Sequence, residues 1–161
     1  IYNIPKISAY DFIDGKQTVF VADSSLIYNP SQLLFHIKHN WWDRAVTDQE
    51  LIEKEKLAAF YNSDISIKNN FIQFENKRIV VVNSSQKTNL SIHKKLRVDM
   101  VIVSKNPAIN IKDIQKLYDF KKIIFDSSNS FRNIEKWKKE CGEINIHFYS
   151  VPDSGAYIEE L

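Results

Sequence analysis

From Val98 onward, short apolar runs alternate with amphipathic stretches, and this alternation limits the possible folds more than any other feature of the chain. The run VDMVIV at 98–103 is continuous enough to be a strand covered on both faces. Asn110 is placed to cap the helix that follows, and KKIIF at 121–125 supplies the next strand. The predicted apolar face of that helix consists of Ile111, Ile114, Leu117 and Tyr118. Strands and helices in this order predict an α/β domain with parallel strands.

A second predicted helix follows, with apolar residues at spacings of three and four. These residues are Phe131, Ile134, Trp137 and Cys141. Gly142 suits the C-terminal cap of this helix. The segments INIHFYSV (144–151) and GAYIEE (155–160) are predicted closing strands. Residues 98–161 therefore form a predicted βαβαββ half.

Residues 1–97 are predicted to contain hairpins and helices. The segment 9–23 is typical of two strands turning at Asp14-Gly15, and a second hairpin is expected to turn at Glu75-Asn76-Lys77. A predicted helix starts with Asn29 as cap and Pro30 in its first turn. Its expected apolar face is Leu33, Leu34, Ile37 and Trp41. Thr47 and Glu50 have capping-box spacing, which favours a further helix over TDQELIEKEKLAAF at 47–60.

The composition predicts one compact domain, residues 1–161. The chain is 43% hydrophobic and 26% charged, enough to bury a single core but not a second one. A first residue of Ile1 rather than methionine suggests a soluble piece of a longer polypeptide. No apolar run is long enough for a membrane span. Cys141 is the single cysteine, which excludes an internal disulfide and a multi-cysteine zinc site.

The charge balance argues against a dedicated nucleic-acid-binding protein. The chain has 22 basic and 20 acidic residues and a net charge of +2. Only a local patch could contact phosphates, and the segment KTNLSIHKKLR (87–97) contains the clearest one. Its candidate DNA contacts are Lys87, Lys94, Lys95 and Arg97. A solvated loop in front of a strand explains the same cluster.

Few residues in the chain have the pattern of a catalytic site. His36 and His39 are three apart and could bind zinc with help from Asp43, or be ordinary surface residues. Three glycines cannot build a glycine-rich phosphate loop. Asp23 and Asp126 each end a predicted strand, where a carboxylate either anchors a turn or joins a site.

Several segments together resemble a known family. The strand of VDMVIV ends in Ser104-Lys105-Asn106 where that family has VSHHGS, and WKKECGEINIHFYSVPDSGAYI matches its last helix and strands. YNIPKISAYDFI stands where it has LDVGQGDAILI, with Ser8 in place of an aspartate. VFVADSS stands for ILIDGG and keeps Asp23, while Ser84 lies near a lost bridging aspartate. An HxHxDH loop has no counterpart. The chain resembles the carboxy-terminal metallo-β-lactamase-like domain of the ComEC family, the channel proteins of bacterial DNA uptake.

This resemblance implies a truncated metallo-β-lactamase-like αββα sandwich with mixed sheets. Its degenerate site would contain Ser8, Asp23, Ser84, Ser104, Lys105, Asn106 and Asp126. Because nearly all of the metal ligands of that family's two-metal site are missing, we expect a non-catalytic accessory domain, a pseudoenzyme without cofactor that serves folding, assembly or weak DNA contact. The partner would be the rest of the channel polypeptide, with the domain on the extracytoplasmic face of the inner membrane.

Two other functions stay open at the level of the sequence. One is a metal-dependent hydrolase or nuclease whose site is rebuilt from His36, His39, Asp23 or Asp126. The other is a sensor or protein-interaction module of an unrelated α/β fold. A first hairpin that failed to join the sheet of the later strands would favour this last alternative.

Overall fold

The computed structural model describes residues 1–83 and 94–160. Near its start lies a three-stranded sheet of β1 (Ala9–Asp14), β2 (Gln17–Ala22) and β3 (Asp48–Glu53), in the order β1-β2-β3. β1 and β2 are antiparallel and β3 is parallel to β2. Gly15, in the turn between β1 and β2, has a φ of 54°, a conformation that glycine adopts without a steric penalty.

A second sheet contains seven strands and is mixed. Its strands are β4 (Ala59–Tyr61), β5 (Ile65–Lys68), β6 (Phe71–Phe74), β7 (Lys77–Val82), β9 (Met100–Val103), β11 (Lys122–Phe125) and β12 (Phe148–Ser150). The order is β12-β11-β9-β7-β6-β5-β4, with parallel pairing from β12 to β7 and antiparallel pairing from β7 to β4. Two short strands, β8 (Leu96–Arg97) and β10 (Tyr118–Asp119), pair in parallel beside it.

Short helices connect the strands in both halves. The first half contains α1 (Ser24–Ile27), α2 (Pro30–Leu33), a π-helical turn at Leu34–Lys38, α3 (His39–Asp43) and a 3-10 turn at Lys54–Lys56. The second contains α4 (Ile111–Leu117), α5 (Phe131–Glu143) and α6 (Val151–Ser154). Within residues 1–83 and 94–160, no helix has the length and apolarity that crossing a membrane requires.

The alternation of side chains along β2 produces two layers of core. Val19 and Val21 face the seven-stranded sheet in one buried cluster, whereas Phe20 and Ala22 face the other way. The outer pair packs against Leu26, Leu33, Ile37 and Trp41 of the first helices.

β7 repeats the arrangement on the second sheet. Ile79 and Val81 join the cluster between the sheets, while Val80 and Val82 join a third cluster under α4 and α5. The layers are therefore helices, sheet, sheet and helices, which is the predicted αββα sandwich with mixed sheets.

Most of the predicted strands, hairpins and helices are confirmed. Both hairpins form, and β9 is buried along its whole length. Asn29 caps α2 by accepting a hydrogen bond from the Gln32 backbone N–H, with Pro30 as the first helical residue. Asn110 holds the N-cap position of α4, although its side chain does not cap and the Glu140 carboxylate accepts from Ile111 N at 2.7 Å instead.

The helix predicted over 47–60 is wrong. The residues form β3, the 3-10 turn and β4, and the Thr47–Glu50 capping box is absent. β2 offers a free edge, and the whole of β3 pairs with it from Gln17↔Asp48 to Ala22↔Glu53. Backbone pairing with an existing sheet outweighs the helix propensity of a charged segment, which is a weak preference.

Three local predictions also fail. Leu34 and Phe131 were assigned to buried helix faces but are 44% and 72% exposed. The π-helical turn at Leu34–Lys38 changes the angular spacing of residues in this segment. Ile37 and Trp41, and not Leu34, are buried together with Leu33. Phe131 is the first residue of α5, and the buried residues of this helix are Ile134, Trp137 and Cys141. Gly142 lies inside α5, whose cap is Ile144.

The last predicted strand, GAYIEE, is wrong as well. Residues 151–154 form α6, which interrupts the βαβαββ order, and residues 155–160 belong to no sheet. Tyr157 instead exchanges two backbone hydrogen bonds with Ile1. Pro152 in the first turn of α6 favours the helix, since it fixes φ and lacks the N–H that a strand would need.

Candidate functional site

Four strand ends converge at one edge of the sandwich. β9 and β11 are parallel neighbours, so Ser104 and Asp126 follow them side by side. In the other sheet, Ser8 precedes β1 and Asp23 follows β2, and the backbone N–H of Asp23 donates to the Ser8 carbonyl at 3.0 Å. All four residues are buried.

Asp126 forms the centre of this edge. The hydroxyls of Ser8 and Tyr10 donate to its Oδ2 at 2.6 and 2.8 Å. Its Oδ1 accepts from the backbone N–H of Ser128 and from Asn129 Nδ2, each at 3.1 Å. A carboxylate that is fully buried and accepts this many hydrogen bonds is held in one position.

Lys54 supplies a positive charge to the same site. Its Nζ donates to Ser8 Oγ at 2.6 Å, to Ser104 Oγ at 2.8 Å and to Tyr10 Oη at 3.2 Å. All three ammonium hydrogens therefore have acceptors, and two of these hydroxyls in turn donate to Asp126. Burial lowers the pKa of the Lys54 ammonium, and the carboxylates of Asp126 and Asp23 oppose that shift.

Lys105 neutralises the second carboxylate. Its ammonium donates to Asp23 Oδ2, which also accepts from the Ser8 backbone N–H at 2.9 Å. Asp23 is 3% exposed, whereas the side chain of Lys105 is 37% exposed, so this ion pair reaches the surface of the domain. Ser8, Tyr10, Asp23, Lys54, Ser104, Lys105 and Asp126 are hereafter called the polar cluster.

The turn after β9 adopts an uncommon backbone conformation. Lys105 and Asn106 have φ of 60° and 51°, in the left-handed region that non-glycine residues rarely occupy. Their backbone N–H groups donate to Ser128 Oγ at 2.8 Å and Asn129 Oδ1 at 2.9 Å. Hydrogen bonds from the loop after β11 therefore hold a turn that contains no glycine.

Tyr10 acts in the cluster as a protonated hydrogen-bond donor. Burial, followed by the nearby Asp126 carboxylate, raises its pKa well above 10. Lys54 Nζ also lies 4.9 Å from the centre of the Tyr10 ring, within the range of a cation–π contact. The cluster thus contains two carboxylates, two ammonium groups and three hydroxyls.

The structure brings together most of the predicted site residues. Ser8, Asp23, Ser104, Lys105 and Asp126 are members of the polar cluster, and Asn106 adjoins it. The predictions for Ser84 and Lys87 lie outside the described residues. Lys94, Lys95 and Arg97 are exposed, before and within β8.

Three parts of the site were not predicted from the sequence: Lys54, Tyr10, and the loop of Ser128 and Asn129. Lys54 was assigned to a helix that does not exist, so its position at the end of β3 was not considered. The position of FDSSNS could have predicted that loop. This segment ends β11 as SKNP follows β9, and the loops after adjacent parallel strands lie at the same edge of the sheet.

The histidine pair lies on the helical layer. The ring of His36 packs against Phe35 at 4.9 Å between centroids, and the ring of His39 packs against Trp42 at 5.0 Å. Among residues 1–83 and 94–160, no three His, Cys, Asp or Glu side chains are placed to hold a metal ion. The set of His36, His39 and either Asp23 or Asp126 is therefore not assembled within the described part of the chain.

The polar cluster does not fit the two-metal centre that the family resemblance implies. Such a centre needs several imidazole and carboxylate ligands with free lone pairs. Asp126 accepts hydrogen bonds on both oxygens and Asp23 Oδ2 accepts from an ammonium group, so that Asp23 Oδ1 is the one oxygen of these two carboxylates without a hydrogen-bond partner among the described residues. A third cation at this position would face repulsion from Lys54 and Lys105.

The first hairpin lies in a different sheet from the later strands, an arrangement expected to favour an unrelated fold. That criterion does not discriminate between the folds, because the two sheets pack face to face around a shared core, as an αββα sandwich requires.

Comparisons with known proteins identify the family of the chain. No curated protein and no solved structure matches the chain. The family model described as the ComEC C-terminal domain matches residues 1–161, the whole length. The chain therefore belongs to the ComEC C-terminal domain family.

Proposed function

We propose that this domain is a non-catalytic accessory part of a ComEC-type DNA-uptake channel, in which two lysines provide the positive charge that metal ions would otherwise supply. The ComEC family consists of membrane proteins of competence and DNA uptake. The observation that carries the proposal is the placement of Lys54 and Lys105 against the hydroxyls and carboxylates of the polar cluster.

The charges of the polar cluster support this function. Asp23 and Asp126 contribute two negative charges, and Lys54 and Lys105 contribute two positive charges. A divalent ion about 4 Å from one ammonium group would meet a repulsion of roughly 8 kcal/mol at an effective dielectric constant of about 20. The balanced cluster instead joins the two sheets, since Ser8 and Asp126 come from different sheets and share a hydrogen bond.

Metal analysis and a nuclease assay test the absence of catalysis. The purified protein is dialysed against zinc or manganese, analysed for bound metal, and incubated with labelled single- and double-stranded DNA. We expect less than one equivalent of metal and no cleavage that a chelator abolishes. Stoichiometric metal together with chelator-sensitive cleavage would reject the proposal and support the rival hydrolase.

The proposal includes weak DNA binding by a patch of exposed basic residues. Lys94, Lys95 and Arg97 are exposed within four residues of one another, which favours binding to a phosphate backbone. Changing all three to Gln should weaken DNA binding at low salt several-fold and reduce its salt dependence. The control changes Lys16, Lys112 and Arg132 to Gln, three exposed cations on other elements. Equal losses for the two triple variants would reject a specific patch.

The proposed location is the extracytoplasmic face of the inner membrane, with the rest of the channel polypeptide as partner. Family membership supports the attachment to a membrane protein. A reporter enzyme that is active only outside the cytoplasm, fused to this domain in the full polypeptide, tests the side. Activity only from a cytoplasmic reporter would place the domain on the opposite face.

A further inference from the structure

The first helices expose large apolar side chains on the outside of the sandwich. Phe35 and Trp42 are 75% and 60% exposed, and Tyr28 and Leu34 are exposed as well. These four residues, hereafter called the exposed apolar patch, lie between the end of α1 and the end of α3. Single apolar residues are common on protein surfaces, whereas a group of this size on one layer is typical of a contact surface.

The helical run from Pro30 to Asp43 has a buried side and an outer side. The buried side consists of Leu33, Ile37 and Trp41, which pack in the core under the first helices. Phe35, His39 and Trp42 follow one another at spacings of four and three, so they lie along the outer side. The rings of His39 and Trp42 are in contact, with 5.0 Å between their centroids. The outer side therefore presents a row of rings to the surroundings of the domain.

The charge of this segment is positive. Residues 24–42 contain no Asp or Glu, although the whole chain has 20 acidic residues. They contain Lys38, which lies next to His39, and the following residues Asp43 and Arg44 balance each other in charge. A helical face that combines Trp, Phe and Leu with cations and lacks carboxylates is complementary to a bilayer surface with anionic headgroups.

A second copy of the domain is a poorer match for the exposed apolar patch. In a symmetric dimer the patch would contact itself, which would bring the two copies of Lys38 together without a carboxylate between them. Trp and Tyr, by contrast, are enriched at the boundary between lipid and water, because each has an apolar ring with one polar N–H or O–H group. The residue types of the patch thus favour lipid as the partner.

We propose that the outer face of the first helices lies on the surface of a lipid bilayer with anionic headgroups, where Phe35 and Trp42 enter the headgroup region. The inference rests on the proposed function, which attaches the domain to a membrane channel. Lipid is then a second partner of the domain, in addition to the channel polypeptide.

The fluorescence of Trp42 tests this contact directly, because Trp41 and Trp137 are both buried. The protein is mixed at low salt with vesicles of phosphatidylcholine and phosphatidylglycerol whose acyl chains carry bromine near the headgroups. Bromine quenches a tryptophan that enters the bilayer, so we expect quenching in the original protein and none in Trp42→Phe. Absence of quenching in the original protein, or the same quenching in Trp42→Phe, would overturn the proposal.

Two matched double variants measure the contribution of the patch to lipid binding. Phe35→Ser combined with Trp42→Ser should lower the partition of the protein onto the anionic vesicles at least about tenfold. The control combines Tyr61→Ser with Phe131→Ser, which removes two exposed aromatic rings from other elements and should change the partition little. Equal losses for the two double variants would overturn the proposal, as would equal binding of the original protein to vesicles of phosphatidylcholine alone.

Sedimentation without vesicles tests the alternative of a second copy. Self-association that is lost in the Phe35→Ser and Trp42→Ser double variant would assign the patch to a dimer and overturn the lipid proposal, whereas a monomer at all concentrations supports it. None of these measurements involves metal, cleavage or DNA, so a failed lipid proposal can be distinguished from a failed accessory function.

Discussion

Replacing Lys54 by methionine is the most direct test of the polar cluster. The side chain keeps a similar length, but three hydrogen bonds to Ser8, Tyr10 and Ser104 are lost. The hydroxyls of Ser8 and Tyr10 connect the Lys54 ammonium group to the buried Asp126 carboxylate, so the change also removes the positive charge near this carboxylate.

Removing one partner of a buried ion pair costs about 3–5 kcal/mol when the two charges are in direct contact, and Lys54 is connected to Asp126 through the hydroxyls of Ser8 and Tyr10. The lowered pKa of Lys54 shows that burial already disfavours its charge, which places the loss at the lower end. We therefore expect the free energy of unfolding to fall by about 3 kcal/mol, roughly a 150-fold change in the unfolding equilibrium.

Lys56→Met is the matched control for this experiment. Lys56 lies in the same 3-10 turn, its side chain is 72% exposed, and its ion pair with Glu53 is on the surface. Such pairs contribute less than about 1 kcal/mol. Urea unfolding followed by the fluorescence of the buried Trp41 and Trp137 measures both variants.

A double-mutant cycle then measures how much of this loss comes from the interaction between the Lys54 ammonium group and the Asp126 carboxylate. In the Asp126→Asn background, no buried carboxylate is left uncompensated, so Lys54→Met should cost about 1–2 kcal/mol less than in the original protein. The reasoning is refuted if Lys54→Met destabilises the domain no more than Lys56→Met, or if the loss is the same in both backgrounds.

Three further predictions concern other parts of the molecule. Hydrogen bonds from Tyr157, Lys77 and Lys122 lower the pKa of Glu159 to about 2, so Glu159→Gln should cost about 1 kcal/mol at pH 7. The stability lost in Glu159→Gln should become smaller as pH falls from about 4.5 towards 2, because the carboxylate stabilises the fold only while it is ionised. Urea titrations that show the same loss at every pH would contradict this prediction. Burial raises the pKa of the Cys141 thiol to about 12, so a thiol reagent at pH 8 should react only after unfolding, and fast reaction with the folded protein would argue against this environment. Asn29→Ala should cost about 1 kcal/mol by removing the cap of α2, and urea unfolding should show a smaller loss for Asn110→Ala, whose side chain does not cap α4.

The candidate site was only partly predictable from the sequence. Ser8, Asp23, Ser104 and Lys105 were chosen because they stand at the site positions that the family resemblance implies. Asp23, Ser104 and Asp126 also follow predicted strands, and ligands are usually bound where such strands end. Their partners depend on contacts that no local pattern encodes.

Lys54 is an example of such a contact. It is 46 residues from Ser8 and 50 residues from Ser104 in the chain, and it reaches both only because β3 pairs with β2. The charged segment from Thr47 to Lys56 has the local pattern of a helix, and nothing in its own residues reveals the free edge of β2.

The sequence by itself determined where the buried strands lie, because the continuous apolar runs of β7, β9 and β11 indicate strands that are covered on both faces. It also determined the turn at Gly15 and the cap at Asn29, where the geometry depends on residues only a few positions apart. Only the tertiary structure decided that 48–53 form a strand, that Leu34 is exposed, and that two lysines neutralise Asp23 and Asp126. Local patterns determine local conformation, whereas the burial of a charge and the pairing of an edge depend on segments that meet only when the chain has folded.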